Sequence, residues 1–145
     1  MPDPIVIELS GVPVGKGRPK FVKATGIAFT PAKTRSYESH LRLAAQEAMG
    51  ARAPIEGPIS ITMAALLPVP KSWTQKKRAA ALLGIVRPTS KPDADNYLKL
   101  SDALNEIVFR DDSQVVEATV RKAYSDRPLL RIEIRELNGE RANAV

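Results

Sequence analysis

The chain has 145 residues, with 43% hydrophobic and 26% charged side chains, no cysteine and one histidine. That length suits one domain able to bury a sizeable core. The composition excludes disulfides, thiolate metal sites and a cysteine nucleophile; with His40 alone, it argues against a histidine-rich zinc site or a Ser-His-Asp triad. The formal net charge of +6 is unevenly spread, with 14 basic against 5 acidic residues over 1–91 and 8 against 11 over 92–145. Such a division points to a polyanionic partner and a separate place for cations, or else to a solvated, soluble surface. No apolar run approaches the roughly 18 residues of a membrane span. The start, Met1-Pro2-Asp3-Pro4, lacks the layout of a secretory signal. A soluble, cytoplasmic protein without membrane attachment is expected.

In chain order, the β-branched run Ile5 to Leu9 predicts a first strand, followed by a basic Gly/Pro-rich loop over 10–20. Residues 21–23 and 27–29 suit a small hairpin turning at Thr25-Gly26. Pro31 opens a helix that runs to Met49 and stops at Gly50, with Leu41, Leu43, Ala44, Ala45 and Ala48 as its buried face. Ile59 to Val69 is the longest strand-like run, and residues 72–84 suit a second helix capped by Ser72 and ended by Gly84. A third helix is expected from Asp93 to about Phe109. Val115 to Tyr124 and Leu129 to Glu136 alternate across Ser125-Asp126-Arg127-Pro128 and predict an antiparallel hairpin. The mixture predicts an α+β domain over 1–137, a mostly antiparallel sheet packed with two to three helices, and a loose tail over 138–145.

Six of the sixteen acids fall between residues 93 and 112: Asp93, Asp95, Asp102, Glu106, Asp111 and Asp112. On a helical wheel Asp95, Lys99, Asp102 and Glu106 share a narrow polar stripe opposite Tyr97, Leu100, Leu104, Ile107 and Val108. A plain reading is available: Asp93 caps the helix, and Asp95 and Lys99 form an i,i+4 surface pair worth about 0.2–0.5 kcal/mol. Asp111-Asp112, directly before a strand, argues for more, because capping gives no reason for two adjacent acids there. If they fold back onto the polar stripe, like charges about 4 Å apart repel by about 4 kcal/mol at an effective dielectric near 20. A divalent cation removes that cost, and an all-oxygen set suits Mg²⁺ or Mn²⁺ rather than zinc. Carboxylates, such an ion and a phosphate together form a phosphodiester-hydrolysing arrangement. The spacing fits neither an EF-hand nor, at Gly11 to Gly17, a Walker A loop, although Lys16 and Arg18 among glycines suit phosphate contacts.

With both blocks in view, the chain resembles the RusA family of Holliday junction resolvases of bacteria and their prophages. The resemblance is carried by Gly15-Lys16-Gly17-Arg18-Pro19, Thr30-Pro31-Ala32-Lys33-Thr34, Lys91-Pro92-Asp93-Ala94-Asp95-Asn96 with Lys99, Asp102-Ala103-Leu104-Asn105, and Asp111-Asp112-Ser113-Gln114-Val115. It implies a homodimeric, Mg²⁺-dependent endonuclease that cuts branched DNA, the four-way junction above all. It places the catalytic acids on Asp93, Asp95 and Asp112, an essential lysine on Lys99, and a neighbouring acid on Asp111. Two residues, Leu100 and Ser101, separate Lys99 from Asp102, one fewer than is usual in the family. That leaves open whether Asp102 and Glu106 join the site.

The expected reaction is in-line attack of water on the scissile phosphorus, leaving 5′-phosphate and 3′-hydroxyl ends. Asp93, Asp95, Asp112 and Asp111 would hold one or two Mg²⁺, with Mn²⁺ as an alternative ion. Lys99 would stabilise the charged phosphate or neutralise Asp95. Lys16, Arg18, Lys20, Lys33 and Arg35 are candidate DNA-backbone contacts. Lys76-Lys77-Arg78 reads as a solvated face, Tyr37, Tyr97 and Trp73 as packing residues, and His40 as incidental. A basic DNA-binding module without catalysis, or a nuclease acting on flaps or forks, are the competing readings.

Overall fold

The apolar run after Gly57-Pro58 becomes an inner strand with a partner on each side. The computed structural model describes residues 3–17, 20–22, 24–29 and 31–137, with the backbone alone for 20–22 and 27–29. Its elements are β1 (Ile5–Ser10), β2 (Lys20–Val22), β3 (Ile27–Phe29), α1 (Ala32–Met49), β4 (Ile59–Leu67), α2 (Gln75–Leu82) and α3 (Ala94–Leu98). A 3-10 helix (Lys99–Leu104), a 3-10 turn (Asp112–Gln114), β5 (Val115–Tyr124) and β6 (Leu129–Glu136) complete it. Four strands form one sheet in the order β1-β6-β4-β5, and β2 pairs with β3 apart from it. β1 and β4 run antiparallel to β6, with Ile7 and Met63 both opposite Ile132, and β5 runs parallel to β4. The fold is α+β, with a sheet that is antiparallel in two of its three pairings.

β5 and β6 are not the hairpin their spacing suggests. β4 lies between them, because its nearly continuous apolar face (Ile59, Ile61, Met63, Ala65, all buried) belongs at the centre, whereas much of β5 is exposed. The connection 125–128 steps over the end of β4, where Ser125 N–H donates to the Leu67 carbonyl at 2.8 Å. Crossing two strand spacings means roughly 10 Å, within the reach of four extended residues.

The core lies on one face of the sheet. Ile5, Ile7, Leu130, Ile132 and Ile134 meet Leu41, Ala45 and Met49 of α1 together with Tyr97, Leu100, Leu104, Val108 and Phe109. The buried column of α1 is Thr34, Glu38, Leu41, Ala45 and Met49, a stripe at helical spacing. Leu43, expected on that face, is 58% exposed because it lies off the stripe. α2 begins at Gln75 rather than at Ser72, because Thr74 is the cap: its Oγ1 accepts from Lys77 N–H at 3.2 Å. Trp73 packs edge-on to Tyr124 at 5.2 Å and lies under the Lys77 ammonium at 3.9 Å, a packing role as expected. Residues 138–145 lie outside the described residues. Among the described residues, no helix is long and apolar enough to cross a membrane.

Candidate active site

The expected third helix is three local structures. α3 gives way at Lys99 to 3-10 winding, which ends at Asn105 (ψ 135°), and residues 105–110 are not helical. The reason lies in the pattern of burial. A 3-10 helix has about three residues per turn, so its side chains fall into three columns. Leu100 with Ala103 and Ser101 with Leu104 form two buried columns, and Lys99 with Asp102 forms the exposed third. A wheel at about 100° per residue and one tightened to about 120° after Lys99 both leave Asp102 within about 40° of Asp95. Asp95, Lys99 and Asp102 therefore share a face, and Lys99 Nζ reaches Asp95 Oδ2 at 3.6 Å and Asn96 Oδ1 at 3.4 Å. Glu106 leaves the stripe: it has a left-handed backbone (φ 67°) and pairs with Arg110 at 3.4 Å.

Asp112 comes from a separately built turn. Asp111 accepts from Ser113 N–H at 3.0 Å, and Gln114 Oε1 accepts from Asp111 N–H at 2.9 Å, a reciprocal capping box. Gln114 also donates to the carbonyls of Ile55 and Gly57, each at 2.8 Å, tying the turn to the segment before β4. The expectation that capping cannot account for Asp111-Asp112 is thus corrected. Asp111 is the cap, and hydrogen bonds from the Ser113 side chain and then from its N–H hold the Asp111 carboxyl below the usual carboxylate range. The turn leaves Asp112 free to face the helical segment. Gln114 carried a structural role that an acid-centred reading of the motif passes over.

The loop between β1 and β2 closes the third side. Gly15 lies so near the ring of Pro92 that an added Cβ would stand 2.6 Å from Pro92 Cβ. Lys16 N–H donates to the Asn96 carbonyl at 2.8 Å, and Gly17 N–H to Thr34 Oγ1 at 3.1 Å. Lys16, expected to contact the DNA backbone, points its ammonium at Asp102 (3.0 Å) and Glu38 (3.7 Å). Lys122, which no motif singles out, donates to the carbonyls of Ser90 and Pro92 at 2.8 and 3.0 Å and ties the chain before Asp93 to β5.

A cavity of about 390 Å³ results, lined by Asp95, Leu98, Lys99, Ser101, Asp102, Asp112, Val115 and Ala118. Asp112 and Asp102 are neighbours on its wall. Burial pushes the Asp102 carboxyl up, but the bonds from Asp112 and Lys16 and the Lys16 charge outweigh it and hold Asp102 below its ordinary value. The Asp102 carboxylate, with a smaller contribution from burial, raises that of Asp112. Of the two carboxyls, Asp112 is therefore the one that loses its proton less readily.

Of the expected metal ligands, the cavity takes Asp95 and Asp112 and adds Asp102. Asp93, at the N-cap position of α3 without a side-chain cap bond, and Asp111 are not among its lining. Among the described residues, no three His, Asp or Glu side chains are drawn together closely enough to hold a metal ion. The donor chemistry nevertheless fits Mg²⁺, which commonly takes one or two carboxylates, water and a substrate phosphate. Asp102 and Asp112 are neighbouring carboxyl groups on the cavity wall, a pair whose mutual repulsion a cation would relieve. Lys33 and Arg35 are exposed on the first turn of α1. Arg18 lies outside the described residues, and for Lys20 only the backbone is described. Tyr97 is fully buried and Tyr37 half-buried; burial pushes the Tyr37 phenol up to about 12.

Comparison with known proteins bears on these residues directly. Residues 10–135, which include every element of the cavity, match the family model described as endodeoxyribonuclease RusA. The chain is also 38% identical over 141 residues to the uncharacterised protein YqaN of Bacillus subtilis, covering 94% of this chain and 99% of that protein.

Proposed function

The chain belongs to the RusA endodeoxyribonuclease family, and on that premise we propose that it resolves four-way DNA junctions by Mg²⁺-dependent hydrolysis of phosphodiester bonds. The observation that supports this most is the meeting of Asp95, Lys99, Asp102 and Asp112 around one cavity, from two separate stretches of chain. Asp102 and Asp112 would hold Mg²⁺ directly, with Asp95 on the same cavity, and Asp93 at the start of the same helix, completing the set through side-chain movement or bound water. Mn²⁺ is an acceptable substitute by the same hard-oxygen chemistry. When bound, the ion supplies neutralisation of phosphate charge and an acidified water.

The chain's own residues do the rest. Asp102 and Asp112 would hold the ion in their deprotonated forms. The Lys99 ammonium is held only by long contacts, 3.6 Å to Asp95 and 3.4 Å to Asn96, so it can turn to the phosphate oxygens as negative charge gathers there. Leu98, Val115 and Ala118 give the cavity an apolar wall that limits competing water. Lys33 and Arg35, with Arg18 and Lys20 by sequence, would grip the DNA backbone. Two paired cuts call for two identical sites, which a two-fold homodimer supplies.

The test is cleavage of a synthetic four-way junction with Mg²⁺ by wild type and Asp95→Asn, alongside flaps and forks. Wild type is expected to cut the junction preferentially and Asp95→Asn to cut at least about a thousandfold more slowly, a loss of about 4 kcal/mol in transition-state stabilisation. Equal cutting by both proteins would remove Asp95 from the mechanism. Binding without cutting by either would favour a non-catalytic DNA-binding module, and faster cutting of flaps or forks would redirect the substrate.

A further inference from the structure

Glu38 stands in the core-facing column of α1 and is only 7% exposed, in a column otherwise made of Thr34, Leu41, Ala45 and Met49. A buried carboxylate is costly unless paired. Its ion pair is with Lys16 at 3.7 Å, and the same ammonium donates to Asp102 at 3.0 Å. Asp102 in turn shares the cavity wall with Asp112. A charged chain therefore runs from the core, Glu38 to Lys16 to Asp102 to Asp112, and ends on the cavity wall. Three consecutive loop residues fix the middle of this chain. Gly15 sits against Pro92, Lys16 N–H is bonded to Asn96, and Gly17 N–H is bonded to Thr34 on α1. Such a clamp aims the Lys16 side chain inward, and a contact to a DNA phosphate would require it to leave both carboxylates.

We infer that Lys16, backed by Glu38, is a positioning residue that holds Asp102 against Asp112 so that both face the cavity for the metal ion. The inference rests on the metal-nuclease reading above. Lys16 touches neither substrate nor ion in this role; it acts through Asp102. Partners of this kind behind a metal ligand commonly alter metal affinity about 10–100-fold when removed.

The experiment uses the full chain and Mn²⁺ alone as probe, following the free-ion electron paramagnetic resonance signal for wild type, Lys16→Met, Asp102→Asn and the double variant. Junction affinity is measured on the same proteins at several salt concentrations. Lys16→Met is expected to weaken Mn²⁺ binding about tenfold, to add nothing further once Asp102 is Asn, and to leave junction affinity and its salt slope unchanged. Loss of a positive charge would by itself tighten cation binding, so weakening marks lost position rather than lost charge. Lys16→Gln, which removes the same charge but keeps a polar end, is expected to weaken Mn²⁺ binding in the same direction and serves if Lys16→Met does not fold. Unchanged or tighter Mn²⁺ binding, or additive effects of Lys16→Met and Asp102→Asn, would overturn the inference. So would a salt slope reduced by about one, which would make Lys16 a phosphate contact. Wild type that binds no Mn²⁺ would overturn the metal reading and this inference with it; wild type that binds while Lys16→Met binds equally well overturns this inference alone.

Discussion

The segments 93–104 and 111–114 bring acids to one cavity by different means. In the first, core packing leaves Asp95, Lys99 and Asp102 on the only face that two buried columns do not claim. In the second, backbone polar groups are satisfied by the neighbours of the functional acid: Asp111 and Gln114 close a capping box, and Asp112 remains between them. The helical acids also carry cations, Lys99 on Asp95 and Lys16 on Asp102, whereas Asp112 is met by another carboxylate. A helical face presents several groups together but leaves each partly neutralised. A capped turn presents one group, held on both sides and short of a counter-charge.

The largest break in this comparison should come from separating the two adjacent aspartates. Asp112→Asn keeps the side-chain size in a turn that buries no residue, and is expected to keep the fold. It should slow junction cleavage at least about a thousandfold, or about 4 kcal/mol. Asp111→Asn, which retains a good cap, should stay within about tenfold of wild type in the same assay. Equal losses in the two variants would erase the distinction between cap and functional acid.

Gln114→Ala sharpens the contrast at the level of stability. It removes three hydrogen bonds and leaves the carbonyls of Ile55 and Gly57 without this partner. Urea unfolding should show a loss of about 2–3 kcal/mol, at roughly 1 kcal/mol per bond. The smallest effect is Asp111→Ala, at about 1 kcal/mol for a lost cap by the same measurement. If Gln114→Ala were the milder of the two, the turn would be held by its cap rather than by its tie to the segment before β4.

Much of this was legible before any coordinates, and the rest was hidden for identifiable reasons. Ile5 to Leu9 and the helix ending at Gly50 announce themselves through β-branching, Pro31 and a glycine stop, all local signals. The interposition of β4 between β5 and β6 is a non-local choice, made by which strand has the most apolar surface to bury, and a four-residue connection read alone imitates a hairpin. The 3-10 winding was hidden because an α-helical wheel also places Leu100 and Leu104 inside. The signal that distinguishes it is Ser101 and Ala103, two small residues whose burial a period of three explains. The gathering of Asp95, Lys99 and Asp112 follows the motif, while Asp102 stayed undecided in the sequence because only Leu100 and Ser101 separate it from Lys99, one residue fewer than is usual in the family. The ion pairs of Lys16 were hidden because they are non-local: a lysine in a glycine loop advertises a phosphate, and its partners Glu38 and Asp102 are 22 and 86 residues away.

The central claim is that Asp95, Asp102 and Asp112 are ligands of one divalent cation at the scissile phosphate. Anomalous scattering from a crystal grown with Mn²⁺ and junction DNA tests it most directly. The account predicts a Mn²⁺ peak inside the cavity, within coordination distance of Asp112 and of at least one of Asp95 and Asp102, with a phosphate oxygen beside it. A peak elsewhere on the chain, or a junction phosphate seated at the cavity with the three carboxylates turned away from any ion, would contradict it.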